Sequence, residues 1–360
     1  MSDRSWLSDH ALLMRRGARR LVIGVTAVGK PARRFDYFKA LDVPGHDLLL
    51  LNSPGNGWYV DGVPLGAGPP SLSGTRDWLA GLARGYDEVA VIGGSMGAYG
   101  ALLLGAALPG AKILAMSPEV YAGLAGGAFE RFSQNEDLPP TLSRLLARQD
   151  LDYTVVTGER NAADFFCTSE VPRQRLITIR NGYHQVAAVV AAELGGMQAL
   201  VDPLLKGRLH QVLKPITGEL SRYPDLGAVL YLFEQNRLPA ARAEAFLKAL
   251  PEGFYGRAIL HLRLGQRARA MGNPYLALEH ASRARALNPP DIEAQLLHDE
   301  VWQQVHGVLP PPGYEAHLDP RFAKVLRYHE QWRRLAQLHG RPPPDALARP
   351  AARDAARPAA

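Results

Sequence analysis

The sequence predicts an α/β fold, a mostly parallel sheet covered by helices on both faces, followed by an all-α helical region. Continuous apolar runs of strand length recur through the first two hundred residues, and helical patterns separate them. Runs without polar alternation are what strands buried on both faces require. The strand signal then stops near Pro203, and Ala, Leu and Arg recur at helical spacing from Leu220 to Leu338.

The elements follow in order. "HALLMRRG" is a short apolar run before the first core strand, suited to an antiparallel edge that turns at Gly17. The buried runs are "RLVIGVTAV" (Arg20 to Val28), "HDLLLLN" (His46 to Asn52), "DEVAVIG" (Asp87 to Gly93), "AKILAMS" (Ala111 to Ser117), "LDYTVVTG" (Leu151 to Gly158) and "RLITIR" (Arg175 to Arg180). Gly or Pro follows several of them and ends the strand. "GTRDWLAGLARG" and "AYGALLLGAAL" read as helices between them. Some thirty residues from Pro118 to Asp150 form a partly helical insertion of the kind that covers a pocket.

In the helical half, Leu264-Gly265 is followed by Gly272, Ala277, Ala281, Ala284 and Pro289. Small residues let two helices approach, the glycine turns the chain, and the proline stops the second helix. These intervals resemble the tetratricopeptide repeat over about 34 residues, from about Tyr255 to Pro290. The resemblance implies a module that binds a protein partner. The expected organisation is an α/β domain over 1–205, a helical region over 206–340 and a disordered Pro/Ala/Arg-rich tail over 341–360.

Composition bounds the function. The chain of 360 residues is 47% hydrophobic, enough for sizeable cores, and its net charge is only +6. No compact Lys/Arg block with interleaved aromatics stands out, which speaks against nucleic-acid binding. The single cysteine, Cys167, excludes an internal disulfide and a thiolate zinc cluster, and reads as a small buried residue. No cofactor or metal is expected. The N-terminal apolar run is too short for a signal peptide, and no run of about 18 apolar residues suggests a membrane span. The expectation is a cytoplasmic protein, with a composition of bacterial type.

The chemistry centres on "VAVIGGSMGAYGALL", Val89 to Leu103. Gly93, Ser95 and Gly97 form the pattern G-x-S-x-G between an apolar strand and an apolar helix. A serine on so sharp a bend needs small neighbours, and Gly94 eases the turn further. The Met96 N–H then starts a helix, where it can donate to a developing oxyanion. In this context the first two hundred residues resemble the α/β-hydrolase fold. The resemblance implies Ser95 as nucleophile, followed in the chain by an acid and then a histidine. His184 lies just past "RLITIR" and before an apolar helix, where that fold carries its base. The fold's usual acid position, three residues past the strand-end glycine, holds Asn161. Asp164 is preferred as the acid. Glu159, beside the glycine, and no acid at all stay open.

The second oxyanion donor is expected from "VTAVGK", through the N–H of Ala27 or Val28, with the Thr26 hydroxyl in addition. Asn56, Trp58, Tyr59 and Asp61 follow the second buried run, and with Gly94 they are read as lining a substrate site. The aromatics suit a sugar ring or an acyl group. This loop, "GGSMGAYGALLLG" and "NGYHQVA" together also resemble hydrolase-like bacterial proteins of surface polysaccharide or glycoprotein export, such as the hydrolase-fold component of the accessory Sec system. The expected function is a serine hydrolase of the esterase or deacylase type, acting on a small ester or an acylated sugar. An acyltransferase of that export chemistry, and an inactive hydrolase-fold scaffold whose helices bind a protein partner, are the alternatives.

Overall fold

The computed structural model describes residues 3–66, 69–133, 137–311 and 319–342. The expected disordered tail falls, apart from Arg341 and Pro342, outside the described residues. The chain forms two compact units, Met1–Gly227 and Ala228–Ala360.

The first unit is built on one eight-stranded sheet. Its elements are β1 (Asp3–Ser8), β2 (Ala11–Arg15), β3 (Arg20–Val25), α1 (Phe38–Leu41), β4 (Asp47–Leu51), α2 (Leu72–Ala83), β5 (Glu88–Gly94), α3 (Met96–Gly105) and β6 (Lys112–Met116). They continue with α4 (Ala128–Phe132), α5 (Ser143–Leu146), β7 (Asp152–Gly158), α6 (Ala162–Cys167), β8 (Leu176–Ile179), α7 (Val186–Leu194), α8 (Val201–Leu205) and α9 (Leu209–Val212). The strand order is β1-β2-β4-β3-β5-β6-β7-β8. β1 and β2 are antiparallel to their neighbours, and all pairs from β4 onward are parallel. This is the α/β-hydrolase type of sheet.

The pattern explains the order. Leu48 to Leu51 are all buried, so β4 must lie inside the sheet with both faces covered. α2 and α3 pack on one face with Ile23, Val25 and Val91. α1 lies on the other face, where Leu41 meets Gly24. The predicted edge run is β2, turned by Gly17 at φ 72°, but it is not the edge. β1 pairs outside it, a strand the sequence conceals because DRSWLS is polar and only partly buried.

The registers Val25↔Gly93, Gly94↔Met116, Met116↔Val156 and Gly158↔Ile179 bring the carboxyl ends of five strands to one rim. From β3 the chain runs to β4 on one side and then to β5 on the other, so the order switches there. Ligands of open α/β sheets bind at such a point.

The first unit extends past the expected boundary at 205. Thr217 bridges to Ile179, and Gly218 N–H donates to Thr178 O at 2.7 Å. Residues 214–220 thereby cover the open side of β8, whose backbone groups need partners.

The second unit holds α10 (Asp225–Glu234, which begins at the boundary), α11 (Ala240–Ala249), α12 (Gly256–Ala270), α13 (Pro274–Leu287), α14 (Ile292–His306) and α15 (Leu326–Leu338). At Gly265 an added Cβ would stand 3.2 Å from Ala277 O, so α12 and α13 approach closely there. Gly272 at φ 76° turns the chain, Asn273 caps α13 through the Leu276 N–H, and Ala277, Ala281 and Ala284 are fully buried. Among the described residues no single helix is long and apolar enough to cross a membrane.

Candidate active site

Ser95 sits between β5 and α3 at φ 54° and ψ −124°, a conformation that costs a non-glycine residue about 1–3 kcal/mol. Its neighbours explain how the bend closes. A Cβ on Gly93 would fall 2.0 Å from Gly97 O, and one on Gly97 would fall 2.2 Å from Val25 O. Only glycine fits at either position. The Ser95 N–H donates to Met116 O at 2.8 Å, which ties the turn to β6. A Cβ on Gly94 would fall 2.7 Å from the Tyr37 Oη, so Gly94 meets the Tyr37 hydroxyl.

Ser95 Oγ lies 2.9 Å from His184 Nε2, and His184 Nδ1 lies 2.7 Å from Asp164 Oδ2. The three side chains come from the ends of β5, β7 and β8, which the register aligns. Asp164 reaches the histidine because it rides one turn into α6. Asn161 caps that helix, its Oδ1 accepting the Asp164 N–H at 3.2 Å. Asn161 therefore places the carboxylate rather than supplying it. Glu159 goes elsewhere. It is fully buried, and its Oε1 accepts from Thr178 Oγ1 at 2.8 Å and from Leu220 N–H at 2.9 Å, in the seam between β8 and residues 214–220.

Burial works against a charge on His184, but the Asp164 carboxylate outweighs it and the imidazole pKa is raised above its usual value. A second carboxyl group acts on the same cluster. Glu119 follows β6, is 6% exposed, and accepts the Phe129 N–H at 2.7 Å through Oε2. Burial pushes its pKa up to about 7; the Phe129 N–H lowers it in part, and the Asp164 charge adds to the rise. Glu119 is not among the acids that the sequence pattern after β7 points to. Its signal is a carboxylate two residues past Ser117, at the end of the strand beside the one that leads into Ser95. Cys167 is buried, and burial pushes its thiol up to about 12, so it stays protonated.

At the rim of β3, the donors expected for an oxyanion differ in state. The Met96 N–H opens α3 and has no acceptor within its own helix. The Ala27 N–H is already engaged, donating to Asp36 Oδ2 at 2.9 Å. That corrects the expectation for Ala27 and leaves Val28. The Thr26 Oγ1 is buried without a hydrogen-bond partner.

The aromatics after β4 do not line an open site. Trp58 and Tyr59 are fully buried. Trp58 stands edge-on to Phe129 at 4.9 Å between ring centroids. The Tyr59 ring packs on Gly100 of α3, and its hydroxyl donates to Thr26 O at 2.7 Å. Two large apolar rings next to a core strand gain more from the core than from water. Asn56, read as a substrate contact, is a bridge. Its Oδ1 accepts the Gly29 N–H at 2.9 Å and its Nδ2 donates to Phe132 O at 3.2 Å. It thus joins the β3 loop to the insertion. Asp61 is exposed. Among the described residues, no group of three or more His, Cys, Asp or Glu is placed to hold a metal ion.

No family model matches the chain, and no curated protein matches it. Solved structures similar to it include the capsule O-acetyltransferase of Neisseria meningitidis serogroup A, at 14% identity and a TM-score of 0.34, covering 49% of this chain and 85% of that one. An α/β serine hydrolase without a lid from Xanthomonas campestris shows 16% identity and a TM-score of 0.31, over 59% of this chain and 94% of that one. An esterase from Pyrococcus furiosus shows 12% identity and a TM-score of 0.33, over 60% of this chain and 92% of that one.

Proposed function

We propose that the first unit is a serine hydrolase for carboxylic esters, working through an acyl-enzyme. The single observation that carries this is the unbroken line from Ser95 Oγ through His184 to Asp164, at 2.9 Å and 2.7 Å. In this reading the Ser95 hydroxyl gives its proton to His184 Nε2 as Oγ attacks the ester carbonyl. Asp164 holds the Nδ1–H tautomer and stabilises the imidazolium. The carbonyl oxygen becomes an oxyanion, which the Met96 and Val28 N–H groups receive. The imidazolium then protonates the departing alcohol. Water, deprotonated by His184, releases the acid and restores Ser95. A sugar hydroxyl in place of that water makes the same machinery an acyltransferase, and an acylated sugar is a fitting substrate for either course.

The test is labelling of the full chain with a fluorophosphonate probe. Labelling of the parent protein is expected, with loss in Ser95→Ala and strong reduction in His184→Ala. Labelling that survives Ser95→Ala would exclude this serine as the nucleophile. A panel of p-nitrophenyl esters and acetylated sugars, with water or free sugar as acceptor, then separates hydrolysis from transfer.

A second reading is an inactive hydrolase-fold platform whose tetratricopeptide-like helices bind a protein partner. One observation favours it: Asp36 occupies the Ala27 N–H, leaving that donor unavailable. An absence of Ser95 labelling and of esterase turnover is its expected outcome.

A further inference from the structure

We propose that the cleft between the N-terminal hairpin and residues 33–40 is a binding site for an acidic sugar. The cleft has a volume of about 560 Å³ and includes Arg4, Trp6, Arg34, Asp36, Tyr37 and Lys39 in its lining. That size lies within the range of about 300–1,000 Å³ that small-molecule sites occupy.

Its charge is not balanced by its own residues. Arg4 pairs with Asp42 at 3.2 Å, Arg33 with Asp9 at 2.7 Å, and Lys30 with Asp36 at 3.2 Å. Neither the Arg34 guanidinium nor the Lys39 ammonium meets a carboxylate among the described residues, and both residues are exposed. Two cations on one wall suit a ligand with one or two carboxylates, and a guanidinium can grip a carboxylate with two parallel hydrogen bonds.

The cleft also offers rings. Trp6 is 48% exposed, with the Arg33 guanidinium 5.5 Å from its centroid and Phe35 at 5.9 Å. An indole so exposed presents apolar surface to a ligand carrying both a flat apolar face and charge. A pyranose with a carboxylate is such a molecule. The wall itself is strained: Arg33 and Tyr37 hold φ of 59° and 64°, in the left-handed region that bulky residues avoid. Strain of this kind collects at functional sites.

The sequence "KPARRFDYFK", Lys30 to Lys39, is therefore a compact basic block with interleaved aromatics, contrary to the expectation that no such block stands out. Such a block also suits a nucleic acid. The bounded cleft favours the sugar, because nucleic-acid affinity comes from several phosphates met along an extended groove.

The cleft backs onto the site described above. Asp36 accepts the Ala27 N–H, and the Tyr37 hydroxyl lies against Gly94 beside Ser95. In the esterase reading, on which only this last step rests, the cleft holds the sugar portion of an acylated acidic saccharide.

Calorimetric titration of the full-length Ser95→Ala protein tests the binding apart from the chemistry. The probes are trigalacturonate, its uncharged counterpart galactotriose, and a short single-stranded oligothymidylate. Trigalacturonate is expected to bind, and galactotriose at least about tenfold more weakly. Arg34→Gln and Lys39→Gln should each weaken the acidic sugar by about tenfold, and Trp6→Ala should weaken both sugars. Absence of trigalacturonate binding, indifference to these substitutions, or tighter binding of the oligothymidylate would overturn the proposal. Fluorophosphonate labelling of the parent protein reports separately on Ser95, so failure of one reading is told apart from failure of the other.

Discussion

Asn161 caps the helix that carries Asp164, its Oδ1 accepting the Asp164 N–H at 3.2 Å. A residue in the place where hydrolase folds usually keep their acid has become the support of an acid one turn further on. The two residues should then fail in different ways. Asp164→Asn keeps the shape but presents an amide to His184 Nδ1, and kcat should drop by on the order of 10⁴. Asn161→Ala removes a cap worth about 1 kcal/mol and loosens Asp164 without changing its charge. Its kcat should fall far less, and Asn161→Asp or Asn161→Ser, which also cap, should recover most of it. Steady-state kinetics on one activated ester measures all four variants. Equal losses for Asn161→Ala and Asp164→Asn would mean that Asn161 does more than cap.

Glu119 leads to a prediction in pH. In the proposed mechanism His184 must be neutral to accept the Ser95 proton, so its raised pKa should put the acid limb of kcat/KM above the usual histidine value. The charges of Asp164 and, to a smaller extent, Glu119 favour the imidazolium. Glu119→Gln removes one of those charges, so the imidazolium loses stabilisation and the acid limb should move to lower pH. Glu119 itself ionises only near pH 7, so the parent profile should also be broader than a single titration. The pH profile of kcat/KM for parent and Glu119→Gln decides the matter. A limb that stays in place or moves to higher pH would show that Glu119 does not act on His184.

What the sequence made legible follows from locality. The bend at Ser95 is visible because its glycines stand two residues either side of the serine, although the contact that requires Gly97 comes from Val25 of β3. His184 is visible because strand and loop adjoin in the chain. Glu119 was hidden, since its neighbours Phe129, Asp164 and His184 come from three other segments. Trp58 and Tyr59 were misread because an aromatic pair after a strand has the same sequence whether it lines a pocket or fills the core. The domain boundary moved for a related reason. Residues 206–227 have no strand pattern, yet 214–220 cover β8 through backbone bonds that carry no side-chain signature.

Asn56 is expected to hold the β3 loop in register with the insertion. It stands at φ 55°, a conformation that asparagine tolerates better than most residues, and hydrogen-bonds both Gly29 and Phe132. Asn56→Gly keeps the backbone at ease and removes both bonds; Asn56→Asp keeps only the acceptor for Gly29. If the loop carrying Val28 must be fixed for an oxyanion to be held, kcat should fall by roughly tenfold in Asn56→Gly with KM little changed. Asn56→Asp should lie between it and the parent. A change confined to KM would assign Asn56 to substrate contact instead.

In the second unit, His261 of α12 and His280 of α13 face each other with Nδ1 atoms 3.0 Å apart, one necessarily donating and the other accepting. Both are nearly buried. Burial, and then the neighbouring His280, lower the His261 pKa to about 4. Its unfolded value is near 6.5, so between pH 4 and 6.5 the unfolded chain binds the proton and the folded one does not. Stability from this pair is therefore complete above pH 6.5 and is lost as pH falls toward 4, by up to about 3 kcal/mol from His261 alone. Protonating the accepting ring at Nδ1 also turns that acceptor into a donor and breaks the bond. Protection factors of the α12 and α13 amides, corrected for the intrinsic pH dependence of exchange, should fall over that range while those of β3 to β6 change less. His261→Gln, which cannot titrate, should flatten the dependence. Protection in α12 and α13 that does not change with pH in the parent would mean that the pair does not govern the acid stability of this unit.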